Sequence, residues 1–314
     1  MKHHITRRRL LQMTTLLASG AIASRRANSH MPAAGTVLQD AAPHTHLGEI
    51  FLDDGQKITV ERNGSVALIG LNRPEAHNLV DPEMHGMLSR AYFQFEHDDA
   101  LRCAVLFGHG DSFCKGIDVE AFAPVIDAHS DRKVVPESID PWGKARPRLT
   151  KPVIVVAHGQ TWNIGHELFL AADIRIAASN TVFAQTEATH GRLPASGSTI
   201  RLVHEAGWAQ AMRYLLTGDS WTAAQAERMG TVQQVCDSPA DALACATSLA
   251  DKVAACAPLS IKATLASAHL AIDSAQDPAF AALPNQRSSL YASHDFEEGL
   301  RAAKEHRRPV FSGT

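Results

Sequence analysis

The sequence lacks the features that identify several classes of protein. Its 30 Lys and Arg residues are outweighed by 33 Asp and Glu residues, so the net charge is −3 and there is no basic surface typical of nucleic-acid binding. No apolar run reaches the roughly 18 residues that a membrane-spanning helix requires. With 45% hydrophobic and 20% charged residues among 314, the composition predicts a soluble globular protein of one large domain or two small ones.

Cysteine is also scarce, and its positions follow no known pattern. The five cysteines are Cys103, Cys114, Cys236, Cys245 and Cys256, with no CxxC pair among them. An odd, dispersed set argues against a disulfide framework, so we expect buried free thiols. The 17 histidines include no HExxH or comparable spacing, and the sequence therefore predicts no metal site.

Residues 1–45 differ from the rest of the chain. TRRRLLQ at positions 6–12 precedes a modest apolar run, and Ala21-Ile22-Ala23 supplies a small-residue cleavage signal. A basic start, a short apolar core and a small-residue exit are typical of a secretory signal, and the paired arginines resemble the twin-arginine type. We expect an exported, periplasmic protein; the alternative is translation from Met31 and a cytoplasmic protein.

From residue 50 onwards, short strands alternate with amphipathic helices. Positions 58–72 alternate and turn at Asn63-Gly64, which predicts a hairpin, and positions 82–98 have helical spacing. Further strands are predicted at 103–110, 151–159, 173–179 and 230–236, helices at 165–172 and within 197–218, a loop over 124–150 and a helical segment over the last forty residues. Strands separated by crossover helices indicate an α/β fold with a mostly parallel sheet.

Two strand-to-helix turns are the first candidates for a functional site. They are SFCKGIDVEAF (112–122) and HGQTWNIGHEL (158–168), and each follows a predicted strand. Glycine allows a sharp turn in both, and the first N–H groups of a helix are unpaired and favour negative charge. If the two turns face each other, they form an oxyanion hole; otherwise they are ordinary loops.

Two glutamates accompany these turns. Glu167 lies one turn into a predicted apolar helix, where a carboxylate is costly unless it is hydrated, paired or used. Read alone, it complements the helix dipole. Glu187 lies in FAQTEATHGRLPASG (183–197) and, read alone, is an exposed loop residue. Together they would supply the acid and base that hydration of an activated double bond needs, but their spacing does not show whether they meet.

These segments together resemble the crotonase (enoyl-CoA hydratase/isomerase) superfamily. The resemblance is carried in order by LNRPEAHNLV (71–80), SFCKGID (112–118), the stretch 151–187 and EEGLRAAKEHRRPVF (297–311). It implies a spiral of ββα turns over 46–245 and a C-terminal helical trimerisation region over 246–314. It also implies a homotrimer or a dimer of trimers that takes an acyl-CoA thioester, with coenzyme A as part of the substrate and no cofactor.

Carried over residue by residue, the resemblance implies a role for each candidate. The backbone N–H groups of Ile117 and Ile164 become the oxyanion donors. Glu167 and Glu187 hold a water that adds syn to a 2-enoyl thioester, with Glu167 as the base for attack on C3 and Glu187 protonating C2. Contacts with the substrate and coenzyme A are expected from Arg73, Lys115, Gly116, Gly165, Tyr291 and Arg307.

The sequence departs from the family pattern at the second turn. Asn163-Ile164-Gly165 replaces a Gly-Gly-Gly run, and Lys115 replaces a small residue. The isoleucine amide still donates, but the side chain of Ile164 is expected to narrow or reshape the acyl pocket. We interpret His166 as a packed neighbour of Glu167 rather than a second acid–base group.

Three functions stay open, of which an enoyl-CoA hydratase-type hydro-lyase is the one we expect. Another crotonase reaction is motivated by the predicted export, because coenzyme A esters are intracellular. That reaction would be enoyl-CoA isomerisation or hydrolysis of a C–C bond in a diketone-like substrate, and SFCKGID locally resembles the diketone-cleaving branch. A non-catalytic binding protein is the third, since a few relatives bind RNA, and the net charge argues against it.

Overall fold

A computed structural model describes residues 56–127 and 136–312, and the predicted signal segment lies outside them. The strands are β1 (Ile58–Asn63), β2 (Val66–Leu71), β3 (Cys103–Gly108), β4 (Val153–Ala157), β5 (Gln160–Trp162), β6 (Ile174–Ala178), β7 (Val182–Ala184), β8 (Trp221–Thr222) and β9 (Gln234–Cys236). The helices are α1 (Pro82–His97), α2 (Val119–Asp127), α3 (Ile164–Leu170), α4 (Ser198–Ala206), α5 (Trp208–Leu215), α6 (Ala223–Arg228), α7 (Pro239–Ala254), α8 (Pro258–Tyr291) and α9 (His294–Lys304).

Six strands form one sheet in the order β1-β2-β3-β4-β6-β9. β1 and β2 are antiparallel and joined at the predicted hairpin, and the remaining pairs are parallel. β5, β7 and β8 form a second, smaller sheet. The prediction of a mostly parallel sheet is therefore confirmed.

Helices cover both faces of the main sheet. On one face, Val105 and Ile154 pack in a cluster with the small residues Ala242, Ala246 and Ala250 of α7, which let that helix lie close. On the other face, side chains of α1 and α3 complete a larger apolar core. Because β3 and β4 are adjacent and parallel, the turns that follow them leave the sheet at the same edge.

Most predicted elements are confirmed with shifted ends, and two expectations are wrong. The loop predicted over 124–150 begins too early, because α2 continues to Asp127. Pro124 removes only one helical hydrogen bond. At the start of the helix, Asp118 accepts from the Ala121 N–H (3.1 Å). The thiols are free, but Cys256 is exposed in the turn after α7 and Cys245 is only partly buried.

Beyond β9 the described chain is helical. The predicted boundary between residues 245 and 246 falls inside α7, and the division into two regions stays a prediction. α9 lies against the short 3-10 helix Glu187–His190, since a Cβ at Gly191 would come within 2.7 Å of the Asp295 carbonyl oxygen. Glu298 fixes the tail after α9 by accepting from Arg307 Nη1 (2.6 Å).

Among the described helices, no single one has the length and apolar composition to cross a membrane. One pair, Pro239–Ala254 with Pro258–Asp273, meets those criteria jointly but is bent by 105°.

Candidate active site

The two turns predicted to carry the site lie side by side. The segment after β3 runs along β5, where the Cys114 N–H donates to the Gln160 carbonyl (3.2 Å) and the Trp162 N–H donates to the Cys114 carbonyl (2.9 Å). Gly165 permits this approach, because a Cβ there would overlap the Cys114 carbonyl oxygen. The turns around Gly116 and Gly165 are therefore brought together.

The N–H groups of Ile117 and Ile164 emerge at this contact. Val80 bonds to the peptide groups on either side of Ile117, through Gly116 O and Asp118 N (both 2.9 Å), so the N–H of Ile117 itself points away from Val80. Ile164 is the first residue of α3, where no preceding helical carbonyl can accept its N–H. Within residues 56–127 and 136–312, neither N–H donates to a protein acceptor.

Asn163 holds the second turn in a backbone conformation that favours glycine. Its φ is 54° and its ψ is −124°. Its Oδ1 accepts from the Thr186 N–H (2.7 Å) and the Thr186 hydroxyl (3.1 Å). The Asn163 side chain thus links this turn to the segment that leads into Glu187.

Glu167 is only 2% exposed, and a second helix stabilises its charge. Its Oε1 accepts from the N–H groups of Ser196 (2.7 Å) and Ser198 (3.1 Å). Because Ser198 is the first residue of α4, the carboxylate caps the positive end of that helix. Burial raises the pKa of Glu167, whereas the two N–H groups and the charges of Lys144 and Arg201 lower it.

Glu187 has a less favourable environment for charge. It is 7% exposed, and its Oε2 is buried with no hydrogen-bond partner in the described parts of the chain. Burial, and then the negative charge of Glu167, raise the pKa of Glu187 to about 8. The two carboxyl groups are therefore close enough to interact, and burial raises the pKa of both. The interpretation of Glu187 as an exposed loop residue is wrong.

His166 is a buried neighbour of Glu167. Its ring is 1% exposed and packs against Phe169, Phe183 and Trp221. Its Nδ1 lies 2.8 Å from Gln185 Nε2. Burial lowers the pKa of His166 to about 3, so the ring is neutral at pH 7. Its interpretation as a packed neighbour is confirmed.

Two of the predicted cationic contacts lie near the first turn. The Lys115 ammonium is 5.9 Å from the ring centroid of Trp162. The Arg73 guanidinium donates to the Leu79 carbonyl (2.7 Å) and pairs with Asp81 (3.1 Å). Arg73 is thus engaged within the protein, and the contacts of both residues with coenzyme A stay predictions.

Tyr291 and Arg307 come from the C-terminal helices. Burial raises the pKa of Tyr291, the charges of Arg192 and Arg287 lower it, and the charges of Glu187 and Glu167 raise it. Arg307 donates to both oxygens of Glu298 (2.6 and 3.1 Å). Arg307 is thus engaged with Glu298, and the substrate contacts expected from Tyr291 and Arg307 stay predictions.

The sequence reasoning missed the residues that hold the glutamates and the second turn. Besides Ser196 and Ser198, they include Trp142, whose Nε1 donates to the Ile164 carbonyl (3.0 Å), and Lys144, whose Nζ donates to Ser196 Oγ (3.3 Å). A Ser-Gly-Ser stretch before a helical pattern signals free N–H groups and could have identified the serines. No local pattern indicated Trp142, which lies in the predicted loop.

A cavity of about 580 Å³ is lined by Lys144 and Ala195, among others. Its wall is mainly apolar and includes Phe122, Phe280 and Leu283. The side chain of Ile164 is 7% exposed and belongs to the apolar core. Ile164 is not among the residues that line this cavity, and the expected effect of its side chain on the acyl pocket stays a prediction.

Comparison with known proteins identifies the family. A model of the family described as enoyl-CoA hydratase/isomerase matches residues 61–314. The chain belongs to the enoyl-CoA hydratase/isomerase family. The resemblance to the crotonase superfamily is confirmed, and the protein is an enzyme of the enoyl-CoA hydratase-like class, whose members take coenzyme A thioesters.

Individual members of this family match over most of their length. Enoyl-CoA hydratase EchA19 of Mycobacterium tuberculosis is 34% identical over 262 residues, which are 83% of this chain and 98% of that protein. The (E)-benzylidenesuccinyl-CoA hydratase of Thauera aromatica is 33% identical over 272 residues, which are 82% and 99% of the two chains. The crystal structure of carnitinyl-CoA hydratase from Mycobacterium avium superposes with a TM-score of 0.74 at 30% identity, covering 82% and 99%. The crotonase fold is therefore confirmed.

Proposed function

We propose that this member of the family is an enoyl-CoA hydratase, which adds water to the double bond of a 2-enoyl-CoA thioester. The unequal pair of buried glutamates carries the proposal. Glu167 receives two N–H donors, whereas Glu187 has a buried oxygen without a partner among the described residues. Hydration needs one base and one acid at the same time, and in this proposal Glu167 is the ionised carboxyl group and Glu187 the protonated one.

In the proposed reaction the two glutamates hold one water between them. Glu167 takes a proton from the water as its oxygen attacks C3, and Glu187 gives its proton to C2. Both act from one side of the double bond, so the addition is syn. The pair returns to its starting state when one proton passes from Glu167 to Glu187.

The N–H groups of Ile117 and Ile164 are the proposed donors to the thioester oxygen, which gains negative charge during attack. Their adjacency across Gly116 and Gly165 supports this role, as does the position of Ile164 at a helix N-terminus. Such preorganised donors stabilise the transition state more than the ground state, and losing one typically costs about 10²- to 10³-fold in rate.

The 580 Å³ cavity is the proposed site of the acyl group. Its volume lies in the range of roughly 300–1,000 Å³ that is usual for drug-sized ligands, which favours a bulky acyl group over a four-carbon one. The relative that acts on benzylidenesuccinyl-CoA supports the same choice. We expect kcat/KM to be higher for an aryl-substituted 2-enoyl-CoA than for crotonyl-CoA.

The decisive experiment follows enoyl-thioester absorbance with purified protein, using crotonyl-CoA and larger 2-enoyl-CoA substrates. The absorbance should fall, and mass spectrometry should find a product heavier by one water. Glu167→Gln and Glu187→Gln should each lose about 10²- to 10³-fold in kcat. A change in double-bond position without gain of water would favour the isomerase alternative, and inertness toward every enoyl-CoA would overturn the hydratase proposal.

We also propose a homotrimer or a dimer of trimers. Four apolar side chains at α5 and α8 are largely exposed in a single chain: Trp208 (71%), Leu216 (72%), Leu259 (80%) and Leu270 (76%). Apolar surface of this extent usually marks a protein contact. Light scattering should give a mass three or six times that of one chain, and a monomer would contradict the proposal.

A further inference from the structure

Neither the proposed reaction nor the packing of the core explains why an asparagine occupies position 163. Its φ of 54° and ψ of −124° cost free energy for any residue that carries a Cβ. Glycine would adopt this turn without that cost. A compensating interaction of the side chain is therefore expected.

The compensation is a set of bonds to three consecutive residues. The Asn163 N–H donates to the Ala184 carbonyl (2.9 Å), and the Asn163 carbonyl accepts from Gln185 Nε2 (3.3 Å). The side-chain Oδ1 accepts from the N–H (2.7 Å) and hydroxyl (3.1 Å) of Thr186. Only the last two bonds need the asparagine side chain, and they hold the residue directly before Glu187.

Asn163 also contacts the other half of the site. Its carbonyl accepts from the Glu167 N–H (2.9 Å), and the next amide along the chain is that of Ile164. One residue thus connects the start of the helix that carries Glu167, the Ile164 N–H and the segment that carries Glu187.

We propose that Asn163 is a positioning residue, which fixes the separation of Glu167 and Glu187 through Thr186 while it holds the turn that presents the Ile164 N–H. The inference rests on the proposed function, in which the two glutamates act as base and acid. Without the side chain, the Thr186 N–H loses its acceptor and Glu187 can move away from Glu167.

Movement of Glu187 has a defined electrostatic consequence. The titratable and charged groups on the elements around it are Glu167 on α3, Tyr291 on α8, Asp295 on α9, and His190 and Arg192 on its own segment. Of these, Glu167 is the charge that raises the pKa of Glu187. A larger separation weakens that repulsion and lowers the pKa of Glu187. When the Asn163 side chain is removed, the rate should therefore begin to fall at a lower pH on the alkaline side of its pH profile.

The test compares the wild type with Asn163→Gly, which relieves the backbone cost but removes the bonds to Thr186. We expect kcat to fall by about 10- to 100-fold with KM changed less than about threefold, and the alkaline limb to move to lower pH. Asn163→Asp keeps the Oδ1 acceptor, so it should recover part of kcat, while its added negative charge moves the limb upward. An active Asn163→Gly enzyme with wild-type kcat and an unmoved limb overturns the proposal.

Asn78→Gly is the matched control. Asn78 also has a positive φ (55°), and its Nδ2 donates to the carbonyls of His109 (2.9 Å) and Ser112 (2.8 Å). It bonds to neither glutamate-bearing segment, so its loss should lower thermal stability and leave the alkaline limb in place. If the alkaline limb of the rate profile moved equally in both variants, a general loosening of the structure would explain the shift. Asn163 would then not fix the separation of Glu167 and Glu187.

Hydrogen exchange provides a readout that does not depend on activity. In Asn163→Gly the peptide spanning residues 184–190 should exchange faster, because the Thr186 amide has lost its acceptor, whereas β3 and β4 should be unchanged. Unaltered exchange in that peptide overturns the positioning role. A wild type inert toward every enoyl-CoA would instead overturn the proposed function, and exchange would still decide the positioning.

Discussion

At the scale of single residues, the buried pair Glu167 and Glu187 costs folding free energy, because a desolvated carboxyl group without a partner opposes burial. The ordinary pKa of Glu187 is 4.5, and in the folded protein it is about 8. Between these values the folded state holds a proton that the unfolded state has released. The stabilisation from this proton is complete below about pH 4.5 and is lost as the pH rises through 8.

Glu187→Gln should therefore stabilise the protein while it lowers activity. The glutamine is neutral at every pH, so the gain should be small at pH 5 and on the order of 3 kcal/mol near pH 7 to 8, at about 1.4 kcal/mol per pKa unit. Thermal denaturation of both proteins at pH 5 and pH 8 measures it. An equal difference at the two pH values would contradict a protonated Glu187.

The same carboxyl group predicts the pH dependence of the reaction. As the acid that protonates C2, Glu187 must keep its proton, so kcat/KM should fall above about pH 8. Glu167 must be ionised, and because burial raises its pKa as well, the acidic limb should lie above the ordinary range of a glutamate. Rates measured from pH 5 to 10 test both limbs. A rate that stays level up to pH 10 would exclude Glu187 as the acid.

At the scale of elements, the contact between the turns after β3 and β4 requires a residue without a side chain at Gly165. Gly165→Ala would place a methyl group against the Cys114 carbonyl oxygen and within 2.7 Å of the Cys114 Cβ. The turns must separate, which moves the N–H groups of Ile117 and Ile164 apart. We expect a loss of about 10²-fold or more in kcat/KM, measured with the best enoyl-CoA substrate.

Gly230→Ala is the control for Gly165→Ala. Gly230 has a φ of 81°, and a Cβ there meets nothing within 4 Å. Its replacement should cost stability through the backbone alone and leave kcat/KM unchanged. If Gly165→Ala retained wild-type kcat/KM, close contact of the two turns would not be needed for the reaction.

Elements with a strong local pattern were predictable, and contacts between distant elements were not. The hairpin at Asn63-Gly64 and helix α1 follow from alternation and helical spacing that a few residues express. The resemblance to the family identified Glu167 and Glu187 as the candidate catalytic residues. The burial of Glu187 could not be read from its loop, because α9, which lies more than a hundred residues further along the chain, packs against its 3-10 helix.

The same distinction explains the missed residues and the wrong expectations. Trp142 contacts the Ile164 carbonyl from a segment without periodicity. The N-terminus of α4 lies at Glu167, and Leu202 of the same helix packs in the apolar core, which is a contact between distant segments. The departure from Gly-Gly-Gly was visible at Asn163, but its bonds to Thr186 required a structure.

At the scale of the whole molecule, the site is assembled from separate parts of the described chain. The sheet edge contributes the two turns, the start of α4 and the residues before it contribute the N–H groups on Glu167, and α8 contributes part of the cavity wall. The turns are fixed by a buried sheet. α8 packs through the buried Phe280 and Leu283 and is also joined to the segment 136–150 by ion pairs, and the proposed acyl cavity lies between them.

Asp273 is the centre of these contacts, because its carboxylate pairs with both Arg146 and Arg148. The two guanidinium groups hold the pKa of Asp273 below its usual range although burial opposes them, so the pairing is present above about pH 4 and is lost as the pH falls. Asp273→Asn should loosen α8 and raise KM for bulky enoyl-CoA substrates more than for crotonyl-CoA, while kcat changes little because neither glutamate is touched.

Asp277→Asn is the matched control for Asp273→Asn. Asp277 is 53% exposed and contacts the same arginines at 3.5 and 3.6 Å. Exposed pairs of this kind contribute about 0–1 kcal/mol, so its loss should leave KM unchanged for every substrate. Steady-state kinetics with substrates of increasing acyl size compares the two variants. If both raised KM equally, or if Asp273→Asn affected crotonyl-CoA as strongly as the bulky substrates, the ionic attachment of α8 would not shape the acyl cavity.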